Sequence, residues 1–135
     1  MDGFGQRGGS EFEKVVLAAK AENWDFVDRN LSIFCDDDGV IRWALEMGAR
    51  SQDDNERDLA ASILEKTGHE IGEEARTILM GMLREDRNPY AMFRAAFALF
   101  AHGDRSEEVI GKIKEALGDE DVKDIAKEYL SRLDK

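Results

Sequence analysis

One cysteine, one proline and two histidines serve a chain of 135 residues, and the scarcities exclude more than they leave open. A lone Cys35 cannot close an internal disulfide, so a disulfide-stapled secreted scaffold is ruled out and a reducing, cytoplasmic setting is the plain expectation. One thiol and two imidazoles, His69 and His102, cannot supply a closed tetrahedral zinc set. Positive charge is short too: 19 Lys and Arg stand against 30 Asp and Glu, a net charge of −11. A duplex-binding protein needs a basic face to displace counterions from phosphates, and here the cations are interleaved with acids, so no nucleic-acid partner is expected. An anionic membrane surface would repel the chain for the same reason. No apolar run approaches the roughly 18 to 20 residues that span a bilayer, and no basic-then-apolar leader opens the chain. The acidic surface reads as solvation.

What the chain does have is one pattern written four times. Val27-x-x-x-Leu31-x-x-Phe34-Cys35-x-x-x-Gly39 is the first copy. Glu56-Arg57-x-x-Ala60-x-x-Ile63-Leu64-x-x-x-Gly68 and Ala91-x-x-x-Ala95-x-x-Ala98-Leu99-x-x-x-Gly103 repeat it. Val122-Lys123-x-x-Ala126-x-x-Tyr129-Leu130 is the fourth. The starts at 27, 56, 91 and 122 are 29, 35 and 31 residues apart. A period of that length signals stacked helical units, each burying its apolar face against its neighbours.

The hydrophobic content of 42% suffices for one core, and the length suits one domain over residues 10–135, after a Gly-rich flexible leader at 1–9. Ser10 with Glu13 has capping-box spacing and starts a helix over about 10–21. Asn23 caps a second helix that runs to about Asp36, Gly39 marks a break, and a third helix carries Ile41, Ala44, Leu45 and Gly48. Asp53 or Asp54 opens the fourth and Gly68 closes it; Ile71 to Met82 form the fifth. Asn88-Pro89 is the sharpest start signal, a cap followed by proline at the first helical position. Phe93, Phe97 and Phe100 on that sixth helix read as core. Two more helices carry Val109 to Leu117 and Val122 to Leu130. No stretch alternates with period two, so the expected fold is all-α: about eight antiparallel helices in a right-handed solenoid.

The third copy opens Asn88-Pro89-Tyr90-Ala91-Met92 and closes Ala98-Leu99-Phe100-Ala101-His102-Gly103-Asp104, and the next helix ends Ala116-Leu117-Gly118-Asp119-Glu120-Asp121-Val122-Lys123. This resembles the HEAT-repeat superfamily, in particular the short repeats related to the phycobilin lyases, over about residues 24–133. The family's usual Arg after Val is here Asp28, Arg57, Met92 and Lys123, so a continuous Asp–Arg ladder is not expected. The resemblance implies an α-solenoid whose second helices line a concave protein-binding face. A chain given almost wholly to repeat scaffolding is expected to be a non-catalytic binding module, and the repeat subtype suggests, as an alternative, a lyase-type protein or chromophore chaperone. Shape alone adds a second alternative, a nucleic-acid binder like the helical-repeat DNA glycosylases.

Reactive constellations are hard to find. Asp36-Asp37-Asp38-Gly39 resembles part of a calcium loop, but Phe34 and Leu45 fall where the first and twelfth ligands belong. His69-Glu70-Ile71-Gly72-Glu73 begins like a zinc-protease helix and has Glu73 in place of the second histidine. Gly3-Phe4-Gly5-Gln6-Arg7-Gly8 spells a dinucleotide fingerprint with no strand before it, and Arg7-Gly8-Gly9 is a single copy of an RNA-binding tripeptide. Cys35 lies on an apolar stripe, where a thiol behaves as a small apolar group. No catalytic residue, metal or cofactor is expected.

One surface patch remains as a candidate. Arg42 and Arg50 lie two turns apart with Glu46 between them, and Arg76 and Arg84 repeat the spacing with Met80 between. Trp43 lies beside the Ile41/Ala44/Leu45 stripe, where it is either a half-exposed anchor or a filler between repeats. If these side chains project from adjacent inner helices, they suit a protein or peptide with acidic and apolar residues; otherwise they are ordinary salt-bridged surface.

Overall fold

The computed structural model describes residues 9–134, with side chains from 11 to 133. Residues 1–8 of the leader, with the Gly3–Gly8 motif, and the Ser10 capping side chain lie outside the described residues, while Gly9, read as leader, begins the first helix. Eight α-helices follow in order: α1 (Gly9–Lys20), α2 (Trp24–Asn30), α3 (Asp38–Trp43), α4 (Asp54–Lys66), α5 (Gly72–Glu85), α6 (Pro89–Ala101), α7 (Glu107–Ala116) and α8 (Lys123–Ser131). There is no strand among the described residues.

The start signals act through side-chain oxygens that satisfy orphan amides. Asn23 accepts from the Phe26 amide at 3.3 Å, Asp53 from Asn55 and Glu56 at 2.8 and 3.0 Å, and Asn88 from Tyr90 and Ala91 at 2.8 and 3.4 Å. At the end of α6, Gly103 takes φ +101°, and its amide bonds to Phe100 O at 3.0 Å while that of Asp104 reaches Leu99 O at 2.9 Å. That is a Schellman closure, for which a residue without Cβ is suited. Gly68 also lies just past its helix, in α4's exit.

Three expectations are corrected. The second helix stops at Asn30 and tightens into a 3₁₀ turn over Leu31–Ile33, instead of running to Asp36. Gly39 is not a terminator; it lies in the first turn of α3, which Asp37 caps through the Val40 amide at 3.1 Å. The third helix gives way to a π turn over Ala44–Gly48, where the Ala49 amide reaches Ala44 O at 2.9 Å. Packing explains the π turn. A Cβ on Gly48 would lie 2.6 Å from Trp43 Cζ3 and 2.9 Å from the Ala60 Cβ of α4, so the backbone passes closer to both than any side chain permits.

Helix α6 is the hub: it packs against α4, α5, α7 and α8, and Ala95 through Phe100 are all buried. Helix α4 packs in turn against α1 and the π turn. The template therefore recurs for a physical reason, since α6 packs against both α4 and α8 and most of their small and apolar template positions are buried. Two aromatic clusters anchor the ends of the core. Phe12 meets Phe34 and Trp43 edge-on, with centroids 5.7 and 5.2 Å apart; Tyr129 stacks on Phe97 at 5.4 Å and meets Phe100 edge-on at 5.5 Å. Phe93 is only half-buried. No helix among the described residues is long and apolar enough to cross a membrane.

Candidate functional site

The four template helices open onto a common groove. A cavity of about 630 Å³ lies along their first turns, with Trp24 and Asp28 from α2, Asp58 from α4, Tyr90 and Arg94 from α6, and Ile125 from α8. Glu22 and Asp121 join it from the preceding connections. Glu22, Asp28, Tyr90 and Asp121 are exposed, while Trp24, Arg94 and Ile125 are half-buried, so the groove opens to solvent over a deeper floor.

That floor is an ionic network. Arg94 Nε donates to Asp58 Oδ1 at 3.3 Å and Nη1 to Glu65 Oε1 at 3.2 Å, and the Tyr129 hydroxyl donates to Glu65 Oε2 at 2.5 Å. The Arg94, Asp58 and Glu65 side chains are only 19, 12 and 5% exposed, low enough that water does not dissolve the pairing. Two acidic side chains, Asp58 and Glu65, thus share one guanidinium. Burial pushes the Asp58 carboxyl up, with Arg94 pulling against it and Glu65 adding to it. Burial and the Glu65 carboxylate push the Tyr129 phenol up as well.

Ties at the repeat spacing fix the helices around the groove. Arg57 on α4 holds Asp86 in the α5–α6 connection with two parallel bonds of 2.9 and 3.0 Å, donates to Ser51 O at 2.9 Å, and also pairs with Asp54. The Tyr90 hydroxyl on α6 donates to Asp121 Oδ2 in the α7–α8 connection at 2.7 Å, and that bond helps push the phenol up to about 12. These contacts join residues 29 and 31 apart, one repeat in each case. At the opposite helix ends, Asp36 Oδ1 accepts from the Gly68 amide at 2.7 Å and the Thr67 hydroxyl at 3.0 Å, which holds its carboxyl below the usual range. The Asp36–Asp38 run thus serves as a turn-to-turn tie and helix cap. No group of three or more potential metal ligands occurs among the described residues. His102 Nε2 lies 2.7 Å from Leu64 O and ties the end of α4 to the end of α6.

The residues singled out from sequence lie elsewhere, on α3, the π turn and the turn that follows it, and α5. Arg42 and Glu46 form the expected pair at 3.0 Å, both exposed, whereas Arg50 turns away and donates to Leu45 O at 3.3 Å. Arg76 is half-buried and donates to His102 O at 3.0 Å. Arg84 reaches α7 and grips Glu108 with bonds of 2.6 and 2.8 Å. Met80 packs partly buried against the core. Trp43 is 9% exposed and fills the space between Phe12 and Gly48, which is the gap-filling role. None of the seven lines the groove.

Arg94 is the residue that sequence reasoning passed over. Its signal was a cation inside the apolar run Phe93-Arg94-Ala95, facing two carboxylates seven residues apart on α4.

Cys35 is buried, its thiol donates to Leu31 O at 3.3 Å, and burial pushes it up to about 11. Thiolate is the reactive form, so Ellman's reagent at pH 8 should label the native protein far more slowly than the urea-unfolded chain. Equal rates would show that the thiol is open.

Comparison with protein-family models, with curated proteins and with solved structures finds no match to this chain.

Proposed function

We propose that this chain is a non-catalytic interaction module, a HEAT-like solenoid that holds a protein or peptide in the groove along α2, α4, α6 and α8. The observation that carries the reading is the shared groove itself: the template helix of each repeat contributes to one solvent-open surface. Repeat arrays use extended surfaces of this kind for recognition, because each unit adds one strip to a continuous face. The rest of the chain supports a scaffold role. Ties at the repeat spacing hold the units in place, and no buried side-chain polar atom among the described residues lacks a partner. Carboxylates at the rim oppose a phosphate backbone, which supports protein over nucleic acid as the partner.

Photo-cross-linking tests the assignment. A benzoylphenylalanine at Asp28 or Tyr90 in the full chain should capture a discrete partner from the native cell extract, and one at Thr77 on α5 should not. Adducts arising only from Thr77 or Arg42 would move the binding face to the α3 and α5 side and defeat the reading.

A further inference from the structure

We infer that the groove receives an arginine side chain from an extended partner segment, with an apolar neighbour seated against Ile125. The inference rests on the groove being the partner site and adds the chemistry of its occupant.

Charge comes first. Four carboxylates line the groove, from Glu22, Asp28, Asp58 and Asp121, against one guanidinium, Arg94. That guanidinium is already committed to Asp58 and Glu65, so it offers an incoming anion little. Because Asp58 and Glu65 both bond Arg94 and are little exposed, the groove floor holds, among the described residues, no free cation to repel an incoming one. A cation entering there is attracted by the exposed rim carboxylates of Glu22, Asp28 and Asp121, whereas an acidic segment is repelled by them.

The lining then separates arginine from lysine. Trp24 and Tyr90 put two aromatic side chains into the same groove as the carboxylates. A guanidinium is planar, stacks on aromatic faces and bonds a carboxylate with two parallel donors; an ammonium is a compact and strongly hydrated point charge. Ile125 adds a half-buried apolar wall with no polar group of its own, which suits an adjacent aliphatic or aromatic side chain. A peptide fits this better than a compact ligand, because the lining is mostly polar and is spread over four helices and their connections.

The test uses the full chain and three fluorescein-labelled nonapeptides that alternate Leu with Arg, with Lys or with Glu, read by fluorescence anisotropy. The Arg peptide should bind most tightly, the Lys peptide several-fold more weakly, and the Glu peptide not at all. Added NaCl should weaken the first. The exposed-rim variant E22Q/D28N/D121N should lose at least tenfold in affinity for the Arg peptide while keeping its circular dichroism. A control that neutralises the same number of acids outside the groove, E70Q/E73Q/E74Q, should stay within twofold. Equal losses in both variants would reduce the binding to general attraction by an acidic protein and overturn the inference, and so would an unaffected rim variant. Preference for the Glu peptide, abolished by Ile125→Ser, would overturn the arginine assignment while leaving the groove as the interaction site. If no peptide binds and cross-links arise only on α3 or α5, the groove assignment falls as well.

Discussion

Arg94→Met should lose about 3–5 kcal/mol of stability at neutral pH, the range seen when one member of a buried ion pair is removed and the other is stranded. Among the described residues, Arg94 is the sole cation bonded to Asp58, and it shares Glu65 with the Tyr129 hydroxyl. Methionine keeps most of the side-chain volume, so the loss is electrostatic and not a cavity. Since domains of this size are stable by only about 5–15 kcal/mol, the variant should sit close to unfolding. The pH dependence has a definite sign. Burial already raises the Asp58 carboxyl above its unfolded value in the native protein, and removing Arg94 removes the main opposing influence. A carboxyl whose folded pKa is raised binds its proton more tightly when folded. Its stabilisation is present below the ordinary carboxylate range and is lost as pH rises through the folded value. Urea unfolding of Arg94→Met should therefore show a midpoint that climbs as pH is lowered from 7 toward 5, and adding Asp58→Asn and Glu65→Gln should recover most of the loss. A loss below about 1 kcal/mol without a pH slope would mean that water reaches the network freely.

Gly48→Ala should destabilise by about 1–3 kcal/mol, although helix propensity alone predicts a gain of up to about 1 kcal/mol from the same change. The competition is decided by space. The new methyl would lie 2.6 Å from Trp43 Cζ3 and 2.9 Å from the Ala60 Cβ. Trp43 cannot yield easily, because its ring is buried and meets Phe12 edge-on at 5.2 Å, and Ala60 is fixed on fully packed α4. The strain should be relieved by Trp43→Leu in the Gly48→Ala background, which would make the pair less costly together than their separate losses sum to. A melting point that rises in Gly48→Ala would show that the π turn relaxes to an ordinary helix at no cost.

Local chemistry was legible in the sequence wherever a single residue type decides the backbone. Asn88 before Pro89 starts α6, Asp53 caps α4, and Gly103 ends α6 with a positive φ. The template was legible because small and apolar residues must return each time a helix meets the next, as α4, α6 and α8 do. What escaped depends on partners distant in the chain. The π turn keeps a helical spacing of apolar residues, and only the meeting of Gly48 with Ala60 twelve residues on reveals it. Arg57, Asp58 and Glu65 look like solvated positions beside a stripe, yet α4 is covered on enough sides that all three are buried. Of the candidate arginines, Arg42 and Arg84 form surface pairs with Glu46 and Glu108, while Arg50 and Arg76 bond backbone carbonyls. Which helices border the groove is set by how successive units are rotated, and no local pattern encodes that.

The most direct test of the account is a ¹⁵N–¹H correlation titration of the labelled full chain with the partner recovered by cross-linking. The groove assignment predicts the largest shifts at the amides of Asp28, Tyr90, Arg94, Asp121 and Ile125 and at the Trp24 indole, with Arg42, Met80 and Arg84 unmoved. Shifts confined to α3 and α5, with the groove amides unchanged, would contradict it.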